Sequence, residues 1–185
     1  AVPPLHYLLP IGLSFHTFQS LAYTIEVYHK RFTAEKRLHI FALYVMIYPQ
    51  LVAGPIERPQ HLLHQFTERH IFDYGRVISG LKLMLWGFFM KVVVADRAAI
   101  FADAVYQNPH HYAGLGLIIG TIFFAIQIYG DFAGYTNIAI GAARVIGFDL
   151  VQNFKRPYFA TSVIEFWQRW HISLTHTERL AIASV

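Results

Sequence analysis

The run Glu165-Phe-Trp-Gln-Arg-Trp-His171-Ile-Ser-Leu174 sets an ionisable imidazole among tryptophans and a leucine. Ser162-x-x-Glu165 has the form of a capping box, so the spacing predicts a helix starting at Ser162, just beyond Pro157. On that helix Trp167, Trp170, His171 and Leu174 fall at i, i+3, i+4 and i+7 and share one face. Glu165, Arg169 and Ser173 fall opposite, with Glu165 and Arg169 spaced for an i,i+4 ion pair. An imidazole on an aromatic face either satisfies a hydrogen bond in a core or moves protons. The spacing by itself leaves both readings open.

Other chemistries find less support. His61-x-x-His64 and His110-His111 have neither the HExxH pattern nor a partnering acidic cluster, so no metal site is expected. The 185 residues include no cysteine, which excludes disulfides, thiol nucleophiles and thiolate metal sites. No glycine-rich phosphate loop and no G-x-S-x-G elbow is present. The formal charge of +4 comes from basic residues scattered between apolar runs, which suits loops at an anionic membrane surface and not a nucleic acid.

The elements that carry these residues read as membrane segments. The chain is 55% hydrophobic and 14% charged, with a mean hydropathy of +0.38, whereas soluble domains carry about 25% charged residues. Pro10 to Tyr28 is long enough for a crossing, and Gly12, His16, Gln19, Tyr23 and Glu26 form a polar stripe that should face protein or a wet cavity. Leu38 to Val52 is interrupted by Pro49 and reads as a broken or re-entrant segment. Glu57 to Arg76 reads as a polar interfacial loop. Val77 to Val94, closed by Asp96-Arg97, reads as a tilted span with snorkelling Lys82 and Lys91 or as an interfacial helix.

Gly114 to Tyr129 carries no charge and is the cleanest span. In its continuation Gly130, Gly134 and Gly141 share a face that would let another helix approach closely. Asp131, Asn137 and Arg144 each require a partner or a role in lipid, and Asp131 is equally suited to capping the preceding span. The sum is one all-α, polytopic membrane bundle over residues 1–185. Gln19, Glu26, Asp131 and Arg144 also allow a non-enzymatic transporter or channel. Ala1-Val-Pro-Pro4 lacks a methionine and a basic n-region, so no signal peptide is expected and the chain reads as a piece of something longer.

Five stretches resemble the membrane-bound O-acyltransferase family. They are Leu9-Pro-Ile-Gly-Leu-Ser-Phe15 with Thr17-Phe-Gln19, Ala53-Gly-Pro-Ile-Glu-Arg58, Gln127-Ile-Tyr-Gly-Asp-Phe-Ala-Gly-Tyr-Thr-Asn-Ile-Ala-Ile-Gly141, Asn153-Phe-Lys-Arg-Pro-Tyr158 and Phe166-Trp-Gln-Arg-Trp-His-Ile-Ser-Leu174. Trp170-His171-Ile-Ser-Leu resembles the branch that acetylates alginate-like polysaccharides more than the D-alanyl branch. The resemblance implies a multi-pass protein of the bacterial inner membrane that passes an acyl group to hydroxyls of an exported polysaccharide. The implied donor is acetyl-CoA or an acyl carrier, with no tightly bound cofactor, and the implied partners are the bilayer and a periplasmic acetyltransferase. His171 matches the family's essential histidine, and Trp167, Arg169, Trp170, Asp131 and Asn153 stand as supporting or substrate-tunnel candidates. An imidazole shielded by Trp167 and Trp170 would be held neutral by desolvation, the form that accepts a hydroxyl proton.

Two features depart from the family pattern. The tryptophan and Arg-Asp-Tyr-rich continuation expected after Leu174 is replaced by Thr175-His-Thr-Glu-Arg-Leu, and no His-Gly dipeptide supplies the second family histidine. The implied fold is therefore partial and truncated after about residue 175, which also admits an inactive remnant.

Overall fold

A computed structural model describes residues 13–50 and 54–175. Among these the chain is helical, with no strand. Helix α1 (Leu13–Tyr28) leads to α2 (Leu38–Met46) and the short α3 (Pro59–Leu62). Two long helices follow. The first comprises α4 (Tyr74–Phe88), a π-helical segment Phe89–Ala95 and α5 (Asp96–Gln107); the second is α6 (Leu115–Ile146). A short α7 (Val163–Arg169) closes the described part.

The long helices explain the charge deficit. Tyr74–Gln107 has 34 residues and α6 has 32, or about 51 and 48 Å at 1.5 Å per residue, against a hydrocarbon core of about 30 Å. Large apolar side chains such as Leu85, Trp86, Ile118 and Ile122 point outward from both. The helix does not end at Asp96-Arg97. Instead the Asp96 N–H reaches back five residues to the Lys91 carbonyl, and the helix continues through this π segment. Lys91 does not snorkel alone; its Nζ lies 2.6 Å from Asp131 Oδ1 and 2.8 Å from Asp96 Oδ1. Nor does Asp131 cap a span, because α6 runs unbroken past it.

Close backbone approach locks the pair together. A Cβ on Gly87 would sit 2.6 Å from the Gly134 carbonyl oxygen, and one on Gly141 would sit 2.6 Å from that of Gly80. Both distances are far inside van der Waals contact. The small-residue face of α6 thus finds its counterpart in Gly80 and Gly87 on α4, with Gly130 against Ala95 below them.

The polar stripe of α1 turns inward as expected. Gln19 is fully buried and Glu26 nearly so, while Tyr23 packs on Phe32, Phe41 and Tyr44. Pro10 and Gly12, the start of that stripe, lie outside the described residues. So do residues 51–53, the end of the expected Leu38–Val52 segment; its helical part stops at Met46 and a single 3-10 turn spans Tyr48–Gln50.

The region 57–76 is not merely an interfacial loop. Leu62 and Leu63 join Ile40, Tyr44, Ile47, Ile140, Ala143 and Leu150 in one apolar cluster, and Glu57 is fully buried. An apolar pair one turn beyond Pro59 is enough to pull this segment into the core, whatever its charged neighbours prefer.

Replacing Gly134 by Leu should therefore abolish accumulation of folded protein in membranes. Ile122→Leu, on the outward face of α6, should accumulate normally. Equal yields, measured by fluorescence-detected size exclusion in detergent, would remove the close approach as a determinant of the fold.

Candidate functional site

His171 is not on the helix that carries Trp167. Helix α7 starts as expected, with Ser162 Oγ accepting from the Glu165 N–H at 3.1 Å, but it ends at Arg169. Trp170 is extended, and His171 sits in the left-handed region at φ +45°. Backbone pairing forces this exit. The Arg169 carbonyl accepts from Lys155 N–H at 2.9 Å, and the Asn153 carbonyl accepts from Ile172 N–H at 2.9 Å. Residues 172–175 then resume a helical turn. The single face of Trp167, Trp170, His171 and Leu174 is accordingly absent.

Asn153 holds the strained turn from two sides. Besides its carbonyl bond to Ile172, its side-chain Oδ1 accepts from the Ser173 N–H at 3.2 Å. Its Nδ2 is buried without a hydrogen-bond partner among the described residues, as is Thr136 Oγ1. Both residues line a cavity of about 200 Å³ whose other walls include Trp86, Met90, Tyr129 and Phe154.

The imidazole itself rests on Phe132 of α6, with ring centroids 4.8 Å apart and an edge-on angle of 78°. Trp170 lies to the other side of the turn, against Tyr129, Phe154, Tyr158 and Phe166. Trp167 is largely exposed. Shielding thus comes from Phe132, not from the two tryptophans. The consequence is the expected one: burial pushes the His171 pKa below its ordinary value and favours the neutral ring.

Ser173, expected on the outer face, is buried and sits at the centre. Its Oγ is 3.5 Å from His171 Nδ1 and accepts the Ile56 N–H at 3.1 Å. Through Ile56 the turn is joined to a buried polar network. Gln19 Oε1 accepts from the Glu57 N–H at 3.1 Å, and Tyr44 Oη–H donates to the Glu57 carbonyl at 2.6 Å. The Glu57 carboxylate accepts the Val151 N–H and pairs with His61 Nδ1 at 2.8 Å. That hydrogen bond, ahead of opposing desolvation, raises the His61 pKa.

The remaining candidates separate. Arg169 pairs with Glu165 as spaced and lies one residue from Trp170. Asp131 is turned to Lys91 and Asp96 and does not join His171. The polar residues considered for a channel also part company: Gln19 bonds Glu57, Glu26 bonds Gln60, and Arg144 reaches Ser79 and Asp149. They do not line one conduit. His110 and His111 sit on an exposed turn, in no ion pair among the described residues.

Phe132, Ser173, Thr136 and the Glu57–His61 pair escaped the sequence reading. Phe132 and Ser173 lie inside the quoted motifs, where the glycines and tryptophans drew the weight. The burial of Glu57 had a signal in the apolar residues that follow Pro59.

A sequence model of the membrane-bound O-acyltransferase family matches residues 36–176. The chain belongs to this family. Among similar proteins, one from Pseudomonas putida named "Probable alginate O-acetylase AlgI" is 41% identical over 92% of this chain. The peptidoglycan O-acetyltransferase of Helicobacter pylori is 30% identical over 92% of it, and the teichoic acid D-alanyltransferase of Bacillus subtilis 24% over 94%. The chain spans 35%, 37% and 44% of the lengths of these relatives. The matched range ends one residue after the last described position, so the family similarity takes in the whole turn around His171.

Removal of the Asn153 side chain deletes the Oδ1 acceptor that the Ser173 N–H uses in a buried setting, a loss of about 1–3 kcal/mol. Ser162→Ala removes an exposed cap worth about 1 kcal/mol. Thermal unfolding of the intact detergent-solubilised protein should rank Asn153→Ala below Ser162→Ala, and the reverse order would deny Asn153 its role in holding the turn.

Proposed function

We propose that this chain is the part of a membrane-bound O-acetyltransferase that carries the proton-accepting histidine for acetylation of an exported polysaccharide. The acceptor is a sugar hydroxyl of an alginate-like polymer. The donor is an acetyl thioester, carried by CoA or by an acyl carrier protein. The setting is the bacterial inner membrane with several crossings, and a periplasmic acetyltransferase completes the delivery. Support comes from the relatives' printed activities. The single observation that carries the mechanism is the desolvated imidazole of His171, fixed on Phe132 in a turn that Asn153 and Ser173 hold.

In this reading the neutral His171 accepts the hydroxyl proton as the sugar oxygen attacks the acetyl carbonyl. The new C–O bond forms, the C–S bond breaks, and the imidazolium returns its proton to the thiolate. Base assistance of this kind is worth on the order of 10²–10⁴-fold in rate. The cavity lined by Asn153 and Thr136 lies on one side of the turn, and its two unpartnered polar atoms suit an acyl carbonyl as acceptor. Asn153 and Trp170 are positioning residues here, Arg169 steadies α7 through Glu165, and Trp167 faces outward. Asp131 belongs to the helix pairing and not to the reacting centre.

In the intact parent protein, His171→Ala should nearly abolish acetyl transfer per unit of membrane protein. His171→Gln, which retains hydrogen bonding but carries no proton at neutral pH, should be equally inactive while accumulating normally. Near wild-type turnover in the glutamine variant would reduce His171 to packing. The lowered pKa adds a signed expectation. The base form persists below the ordinary histidine value of about 6.5, so the acid limb of the rate profile should fall only below that pH; a limb centred above it would contradict burial as the controlling influence.

A further inference from the structure

On the far side of Ser173 lies a second cavity, of about 330 Å³, that the transfer chemistry above does not use. Its walls are Ile56, Glu57, Arg58, His61, Val151, Ile172 and Ser173. Ile172 and Ser173 directly follow His171, and Ser173 Oγ lies 3.5 Å from His171 Nδ1. The turn therefore stands between two cavities, one entered by Asn153 and the other by Ser173.

The charges of this second cavity are arranged unequally. Glu57 supplies its one carboxylate, fully buried, and both carboxylate oxygens are engaged: one accepts the Val151 N–H and the other faces His61 Nδ1. This pairing favours the protonated imidazole, so glutamate and histidine together approach neutrality. Arg58 is different. It is half-buried beside Pro59, and its guanidinium has no hydrogen bond or ion pair to any described residue. An unpaired guanidinium next to apolar walls from Ile56, Val151 and Ile172 leaves its donors open to an anion that enters this cavity. The partly exposed edge of His61 offers a second donor on the same wall.

We propose that Arg58, seconded by His61, forms an oxyanion subsite that seats a carboxylate or phosphate group of a substrate beside His171. The proposal deepens the acetyl-transfer reading and rests on it. The site suits a single anionic group on a small body, since the cavity holds about 330 Å³ and Arg58 is its one arginine, without a partner among the described residues. Two sources carry such a group: the uronate carboxylate of an acidic polysaccharide, and the phosphate through which a pantetheine arm is joined, as a phosphodiester to a carrier protein or as a diphosphate in CoA. Either would bring its reactive end to the Ser173 side of the imidazole.

The test uses the intact parent protein in membranes, with acetyl-CoA as donor and two acceptors, a uronate oligosaccharide and its carboxyl-reduced twin. Arg58→Gln should raise one KM on the order of tenfold, the loss expected for one charge-assisted hydrogen bond, with little change in kcat. Arg58→Lys should recover most of it. A rise confined to the uronate acceptor assigns the site to the acceptor carboxylate, and a rise confined to acetyl-CoA assigns it to the donor. Unchanged KM values, or a rise shared equally by the uronate and its reduced twin, overturn the proposal. A second measurement needs neither turnover nor the variant. Phenylglyoxal labelling of Arg58 in the wild-type protein, read by peptide mass, should be slowed by free galacturonate or by inorganic phosphate. Labelling unaffected by both overturns the subsite. A wild-type protein without acetyl transfer but with protected Arg58 would instead overturn the reading of function.

Discussion

The close approach of α4 and α6 is the constraint on which the rest of the architecture depends. Backbone carbonyls of Gly80 and Gly134 lie where Cβ atoms of Gly141 and Gly87 would otherwise stand. In lipid there is little hydrophobic gain from bringing two apolar helices together, so association relies on packing contact and on satisfied polar groups. Glycine pairs supply the contact, and the Lys91–Asp131–Asp96 cluster supplies an ionic tie at the level of the π segment. With α6 fixed in this way, Tyr129 and Phe132 are presented to the segment that follows, and that segment has a surface on which to fold.

Residues 153–175 are too short and too irregular to be ordered by their own helix. Helix α7 has only seven residues, well below the length at which an isolated helix persists in water. Order comes from contacts beyond α7 itself: aromatic contacts of Trp170 and Phe166 with Tyr158, Phe154 and, on α6, Tyr129, and backbone bonds from Asn153 and Lys155. The Tyr158 hydroxyl adds a 2.6 Å bond to the Ala125 carbonyl of α6. The left-handed backbone at His171 is therefore imposed by its surroundings, which is how strained conformations are usually maintained near reactive groups.

The buried polar network serves the same end from the opposite direction. Gln19, Tyr44 and Glu57 bring α1, α2 and the segment before α3 to one point, and Ile56 hands that point to Ser173 across 117 positions of sequence. Each group would be expensive to bury alone. Together they satisfy one another except at Gln19 Nε2, which has no hydrogen-bond partner among the described residues, and they join the turn at His171 to α1 and α2. The cation at Arg58 stands at the edge of this network without a partner among the described residues.

The sequence by itself determined the class of the protein, the long apolar spans, the glycine face of α6, the cap at Ser162 and the Glu165–Arg169 pair. These depend on composition and on spacings of three to seven residues, which local geometry fixes. Its errors share one cause. Helical periodicity placed Trp167, Trp170 and His171 on one face because nothing local announces that Asn153 and Lys155 will pair with the backbone at 169–173 and break the helix. Likewise a polar run from Glu57 read as a loop, because Leu62 and Leu63 become core only when α2 and α6 are there to receive them. Which glycines on α4 answer those on α6, which ring shields His171, and which cations remain unpaired were decided by tertiary contact. Those contacts join residues tens of positions apart, and their energies exist only once the helices have met.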